Sequence, residues 1–135
     1  MGNEILELLN QGIIQWNNKL LYLSEIINII KSYKYDIKKL NNGNQLVTMR
    51  DPVNLYGYDG DKIRMELNDQ TVIFIYVRFR QKKEFDEMVL SLFNSNKVQF
   101  TFYEEQQGPI AIFKYKSIMI QVGREKYSVQ YFFHV

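Results

Sequence analysis

Asp36 and Lys38 stand two residues apart in Tyr35-Asp36-Ile37-Lys38, the spacing at which some metal-dependent nucleases place a carboxylate for Mg²⁺ and a lysine that activates water. Such a site needs a further carboxylate on the preceding strand to share the metal. Here the preceding segment reads as helix and carries Glu25 instead. The plainer assignment is an edge strand, Tyr33 to Lys39, whose lysines discourage pairing between sheet edges. His134 is the only histidine, one residue from the carboxyl end, and the chain has no cysteine. Zinc sites, Cys-His pairs and Ser-His-Asp triads are therefore excluded by inventory. A lone imidazole near a terminus lacks neighbours to orient it as a general base, so a surface histidine at a strand end is expected. No enzyme activity, cofactor or metal is expected.

Two groupings suit binding better than catalysis. In the segment Val53-Asn54-Leu55-Tyr56-Gly57-Tyr58-Asp59-Gly60-Asp61, Tyr56 and Tyr58 supply rigid contact area. The glycines give backbone freedom, and Asp59 and Asp61 give negative charge, a mixture resembling binding loops. An acidic aromatic tip of this kind suits a basic partner surface, while the plainer alternative is a surface loop whose tyrosines cap the core. Asp59-Gly60-Asp61 lacks the ligand spacing of a calcium loop.

Arg78 and Arg80, followed by Lys82 and Lys83, form the densest basic cluster, with Lys114 and Lys116 expected on a neighbouring strand. Their alternation with Phe79, Phe113 and Tyr115 resembles single-strand nucleic-acid platforms, but any sheet with one wet face alternates in this way. Net charge is only +2, from 17 basic and 15 acidic residues. This weighs against nucleic acid and against an anionic membrane. Arginines pointing into a concavity would instead clamp a phosphate or carboxylate, with Tyr56 and Tyr58 stacking on a small anionic ligand such as a nucleotide. No glycine-rich phosphate loop accompanies them.

The elements that must position these residues begin with an apolar repeat. Leu6, Leu9, Ile13, Trp16, Leu20, Leu23, Ile27 and Ile30 alternate at spacings of three and four, which predicts one helix from about Asn3 to Lys31 with Gly12 as its weak point. Its apolar arc is roughly 160° wide, against the ~100° that one core contact needs. Ile14 and Leu21 fall on the polar side, so the helix is expected to touch something beyond its own sheet. Self-association through Ile14, Trp16 and Leu21 into a homodimer is the concrete form of that expectation. Residues 33–40 read equally as a strand, closed by a hairpin at Asn41-Asn42-Gly43-Asn44, or as more helix.

Further along, Lys62 to Leu67 and Thr71 to Arg80 predict a hairpin turning at Asn68-Asp69-Gln70. Its second strand is apolar on both faces and therefore central. Lys82 to Asn94 predicts a second helix. Ile110 to Val122 changes parity near Lys116-Ser117, as a bulge or bend would make it do, and Tyr127 to Val135 closes the sheet.

With 46% hydrophobic and 15% aromatic residues in 135, the chain is expected to form a single globular domain over residues 1–135. The opening residues match neither a signal peptide nor a membrane span, and Leu6 occupies the position where a myristoylation signal wants Ser or Thr. A cytoplasmic location is the default.

The expected fold is α+β: a long N-terminal helix and one shorter helix on one face of a mostly antiparallel sheet of five or six strands. The expected function is a protein-interaction module that occludes a partner's surface, as immunity proteins, antitoxins and phage-encoded inhibitors of host defence do. A sequestering binder of a small anionic ligand is the alternative.

Overall fold

The computed structural model describes residues 2–69, 71–93, 99–102, 111–123 and 127–133, and the fold is given for these. The apolar repeat at the start is not one helix. It divides into α1 (Gly2–Asn10), β1 (Ile13–Trp16), β2 (Lys19–Tyr22) and α2 (Leu23–Ile30). The first break is at Gly12, whose φ of 73° is a left-handed conformation that glycine adopts without steric cost. Its N–H donates to the Leu9 carbonyl at 2.9 Å, and its own carbonyl accepts from Leu23 N–H at 2.9 Å. The second break is Asn17-Asn18, with φ of 48° and 68°. Both central residues are left-handed, as a two-residue hairpin turn requires, and asparagine tolerates that region. The register that follows pairs Trp16 with Lys19 and Ile13 with Tyr22.

Strand geometry also reassigns Ile14. On a helical wheel it lies on the polar side, but in β1 it alternates with half-buried Ile13 and Gln15, so Ile14 and Trp16 both point into the core at 0% and 2% exposure. The repeat arises because α1 supplies buried Leu6 and Leu9, α2 supplies Leu23, Ile26 and Ile30, and the hairpin between them fills the spacing. Self-association through Ile14 and Trp16 is thereby corrected: these side chains are consumed inside the protomer. Leu21 is half-buried against the same core.

The sheet is likewise larger than five or six strands. Eleven strands among the described residues join one sheet. After α2 come β3 (Tyr35–Lys39), β4 (Gln45–Met49), β5 (Val53–Leu55), β6 (Tyr58–Asn68), β7 (Thr71–Phe79), α3 (Lys82–Phe93), β8 (Gln99–Phe102), β9 (Ala111–Tyr115), β10 (Ile118–Val122) and β11 (Ser128–Phe132). Every pairing is antiparallel. Residues 35–39 are therefore strand, not a continued helix. The parity change near Lys116-Ser117 is a hairpin turn and not a bulge: Tyr115 pairs with Ile118, and Lys116 has a φ of 50°.

The strand order is β2-β1-β5-β6-β7-β11-β10-β9-β8, with β3 reaching β6 through β4. The sheet forks on β6. β5 pairs with its first residues, Tyr58 to Gly60, and β4 with its later ones, Ile63 to Leu67. Asp51-Pro52 separates the two neighbours, because proline has no N–H for a ladder. Ile63, Met65 and Leu67 of β6 and Ile75, Val77 and Phe79 of β7 are buried on one face, with Phe113, Ile120, Val129 and Tyr131 from the meander. The helices pack on that face: Leu6 and Leu9 of α1, Ile26 and Ile30 of α2 and Met88 of α3 join this core. Among the described residues, no helix is long and apolar enough to cross a membrane.

Candidate functional site

Val53 to Asp61 is a closed hairpin rather than a recognition loop. Tyr56 and Gly57 are its two turn residues, with φ of 55° and 88°, between Leu55 and Tyr58, which pair. The Tyr56 ring is buried, lies 6.4 Å from Tyr131, and its hydroxyl donates to the Ile13 carbonyl at 2.7 Å. Burial, and then the proximity of Tyr131, hold its pKa far above the ordinary tyrosine value. Asn54 braces the turn, its Oδ1 accepting from Gly57 N–H at 2.9 Å and its Nδ2 donating to Asp59 Oδ1 at 3.0 Å. Asp59 N–H donates to Glu84 Oε2 at 2.8 Å, and the Asp59 carbonyl accepts from Arg80 N–H at 3.1 Å. Tyr58 stands edge-on to Phe79 at 6.1 Å, and burial, then the charges of Glu87 and Glu84, raise its pKa.

Asp61 is the extra residue where the β6–β7 register shifts between Gly60 and Lys62. The shift brings its Oδ1 to 2.7 Å from Arg78 Nε, and this hydrogen bond raises the arginine pKa further. The sequence candidates therefore do not form one site. Tyr56 is a core residue, Tyr58 and Asp59 hold the hairpin against α3, Asp61 neutralises Arg78, and Arg80 lies exposed beyond β7. The expected basic and aromatic platform also separates. Phe79, Phe113 and Tyr115 are buried on the core face, Lys82 pairs with Asp86 at 2.7 Å, and Lys116 pairs with Glu7 at 3.0 Å.

A different grouping occupies the outer face, from side chains that alternate with the core residues. The register lines them up in rows across the sheet. Lys62 lies beside Arg78. Thr48, Arg64, Tyr76, Gln130 and Gln121 form the next row, and Leu46, Glu66, Phe74, Phe132, Met119 and Lys114 the one after. The Arg64 guanidinium carbon sits 5.4 Å from the Tyr76 ring centroid, and Phe74 packs on Phe132 at 5.4 Å with planes tilted by 36°. Partial desolvation, and then the charges of Arg64, Arg78 and Arg50, pull the Lys62 ammonium below the usual lysine pKa, with Asp61 opposing.

Phe74 and Tyr76 were visible in the sequence only as the second apolar side of β7. Alternation cannot distinguish a side covered by helices from one left open. Among the described residues no group of three or more His, Cys, Asp or Glu could hold a metal ion, and His134 lies outside those residues. Comparison with models of protein families, with curated proteins and with solved structures finds no match.

Proposed function

We propose that this protein is an interaction module that neutralises another protein by laying the outer face of its sheet against an acidic, partly apolar surface, in the manner of immunity proteins, antitoxins or anti-defence inhibitors. The observation that carries this reading is the apolar run Phe74, Phe132 and Met119, with Glu66 and Lys114 at its two ends, Leu46 beyond Glu66, Arg64 in the adjoining row and Lys62 one row further. An apolar centre with aromatic and arginine anchors and a charged rim is the anatomy of protein interfaces. Stacking of nucleic-acid bases needs open ring faces, whereas the Tyr76 face is taken by Arg64 and Phe74 is paired with Phe132. That contrast favours a protein partner.

The test compares wild type with a Lys62→Glu/Arg64→Glu variant of unchanged circular dichroism and melting temperature. Both are immobilised and challenged with lysate of the source organism. The reading expects a protein retained by wild type, lost by the variant, and inhibited by stoichiometric wild type in its own assay. Equal retention on both columns overturns it. So does binding of single-stranded oligonucleotides alone, with an affinity that falls steeply with salt.

One observation favours a second reading. Lys62 lies beside Arg78 in the β6–β7 register with Arg64 in the next row, and although Arg78 and Arg50 are ion-paired to Asp61 and Asp36, this basic grouping suits sequestration of a small anionic ligand such as a nucleotide. A specific rise in melting temperature across a nucleotide panel, lost in Lys62→Glu/Arg64→Glu, would support it.

A further inference from the structure

The β3 edge carries a pattern that specifies its own partner. All five residues of β3 are exposed, including the apolar Tyr35 at 40% and Ile37 at 52%. Its other side is committed to β4, in the register Tyr35–Met49, Asp36–Thr48, Ile37–Val47, Lys38–Leu46 and Lys39–Gln45. Leu40 N–H donates to the Asn44 carbonyl at 2.8 Å, which sets the phase of the ladder. In an antiparallel pair every second residue exchanges both backbone bonds with its partner, so Lys38 and Asp36, like Leu40, bond towards β4. Tyr35, Ile37 and Lys39 consequently direct their N–H and C=O groups outward along an edge that no other described strand pairs with.

A second antiparallel strand can pair with these groups only in registers that set odd-numbered residues against odd-numbered ones. Let the occupant be another copy of β3 related by a twofold axis at Ile37. Ile37 then meets its counterpart, Tyr35 meets Lys39, and Asp36 of each copy lies opposite Lys38 of the other. The neighbouring permitted registers fail on charge. A slip one way sets Asp36 against Asp36, and a slip the other way sets Lys38 against Lys38. Opposite charges across strands stabilise and like charges directly opposite destabilise. Lys38 has no carboxylate within salt-bridge distance among the described residues, whereas Asp36 is held by Arg50 at 2.7 Å in an exposed pair and keeps lone pairs for a second cation.

We infer that two copies of this chain pair antiparallel through β3, centred on Ile37, with reciprocal Asp36–Lys38 contacts that fix the register. This interface uses the backbone edge of β3; Asp36 and Lys38 lie on the same side of the sheet as Thr48 and Leu46, but charge reversal at these two residues tests pairing separately from the Lys62/Arg64 test of the outer face. The aliphatic stem of Lys39 packs over the Tyr35 ring of the other copy on the same side as Ile37. The lysines that would deter random edge pairing become specificity elements in the one register that satisfies them.

Charge reversal on the full chain tests this directly. Light scattering and native mass spectrometry of wild type at high micromolar concentration should give a dimer. Asp36→Lys sets two lysines opposite one another at each charged pair, and Lys38→Asp sets two aspartates there, so each substitution alone should weaken association by roughly tenfold or more. Mixed in equal amounts, the two variants are complementary at every charged pair and should form a heterodimer with the summed mass. Circular dichroism melts confirm that each variant is folded. A monomeric wild type overturns the inference, as do variants that dimerise undiminished or folded variants that stay monomeric when mixed.

Discussion

The hydroxyl of Tyr56 donates to the carbonyl of Ile13 at 2.7 Å across 43 residues of sequence, joining the β5–β6 turn to the first residue of β1. Burial raises the pKa of Tyr56 and also that of Tyr131, so the folded state holds both protonated where the unfolded chain would release their protons near pH 10. The sign follows from linkage: their contribution is complete below pH 10 and is lost as pH rises beyond it. Denaturant titrations should show stability falling above pH 10 by up to about 1.4 kcal/mol per pH unit for each tyrosine. Tyr56→Phe should reduce that slope by up to about 1.4 kcal/mol per pH unit and cost about 1 kcal/mol at neutral pH through the lost hydrogen bond. An unchanged alkaline slope in Tyr56→Phe would contradict the burial of this hydroxyl.

The Asn17-Asn18 turn separates backbone demand from side-chain contact. Asn18 contributes chiefly its tolerance of a φ of 68°, so Asn18→Gly should be neutral or stabilising by about 0.5 kcal/mol. Asn17 also accepts from Asn54 N–H at 2.8 Å and donates to the Tyr33 hydroxyl at 3.0 Å. Asn17→Ala should therefore cost about 1–2 kcal/mol. Urea midpoints check both statements: unchanged or raised in Asn18→Gly, lowered in Asn17→Ala.

Gly60 sits where the β6–β7 ladder shifts register, and a Cβ there would meet Val77 Cγ1 at 2.9 Å. Both neighbours are central strands with little room to move, so Gly60→Ala should lower stability by about 1–3 kcal/mol. Gly57→Ala, with nothing within 4 Å but a φ of 88°, tests strain without crowding. Thermal melts should show both losses, with Val77→Ala relieving only the first.

Ile14 and Leu20 divide the two readings of the opening thirty residues. A helical seam makes Leu20 a core residue and leaves Ile14 on the polar side. The β1–β2 hairpin buries Ile14 completely and leaves Leu20 61% exposed. Ile14→Ala should thus cost about 2–4 kcal/mol, and Leu20→Ala should stay within about 0.5 kcal/mol of wild type. Chemical denaturation of the two variants checks the contrast.

The same pair shows why the amino-terminal third misled. Hydrophobic spacing of three and four is shared by a continuous helix and by two short helices flanking a hairpin, and the deciding signals were the turn residues Gly12 and Asn17-Asn18. Where turn chemistry and alternation agree, the sequence was readable. Asn42-Gly43 closes β3 and β4, Thr71 to Phe79 forms the central strand between β6 and β11, and α3 begins at Lys82. The sites were less readable. Tyr56 in a Gly-rich segment looked available for contact, yet its left-handed backbone and Ile13 partner turn it inward. Arg64 and Phe74 carry no local signal, because nothing in the neighbouring sequence says which side of a β-strand the helices will cover.

The forking of the sheet on β6 has a topological outcome. An ordinary open ribbon has two free margins, whereas the branch at Asp51-Pro52 gives the described strands three: β2, β3 and β8. Joining unlike margins, β2 to β8 for example, would leave new ends exposed and propagate into a filament. A margin that pairs only with its own copy terminates growth after a single step, so the branch bearing Asp36 and Lys38 would seal one route to aggregation by assembling with itself.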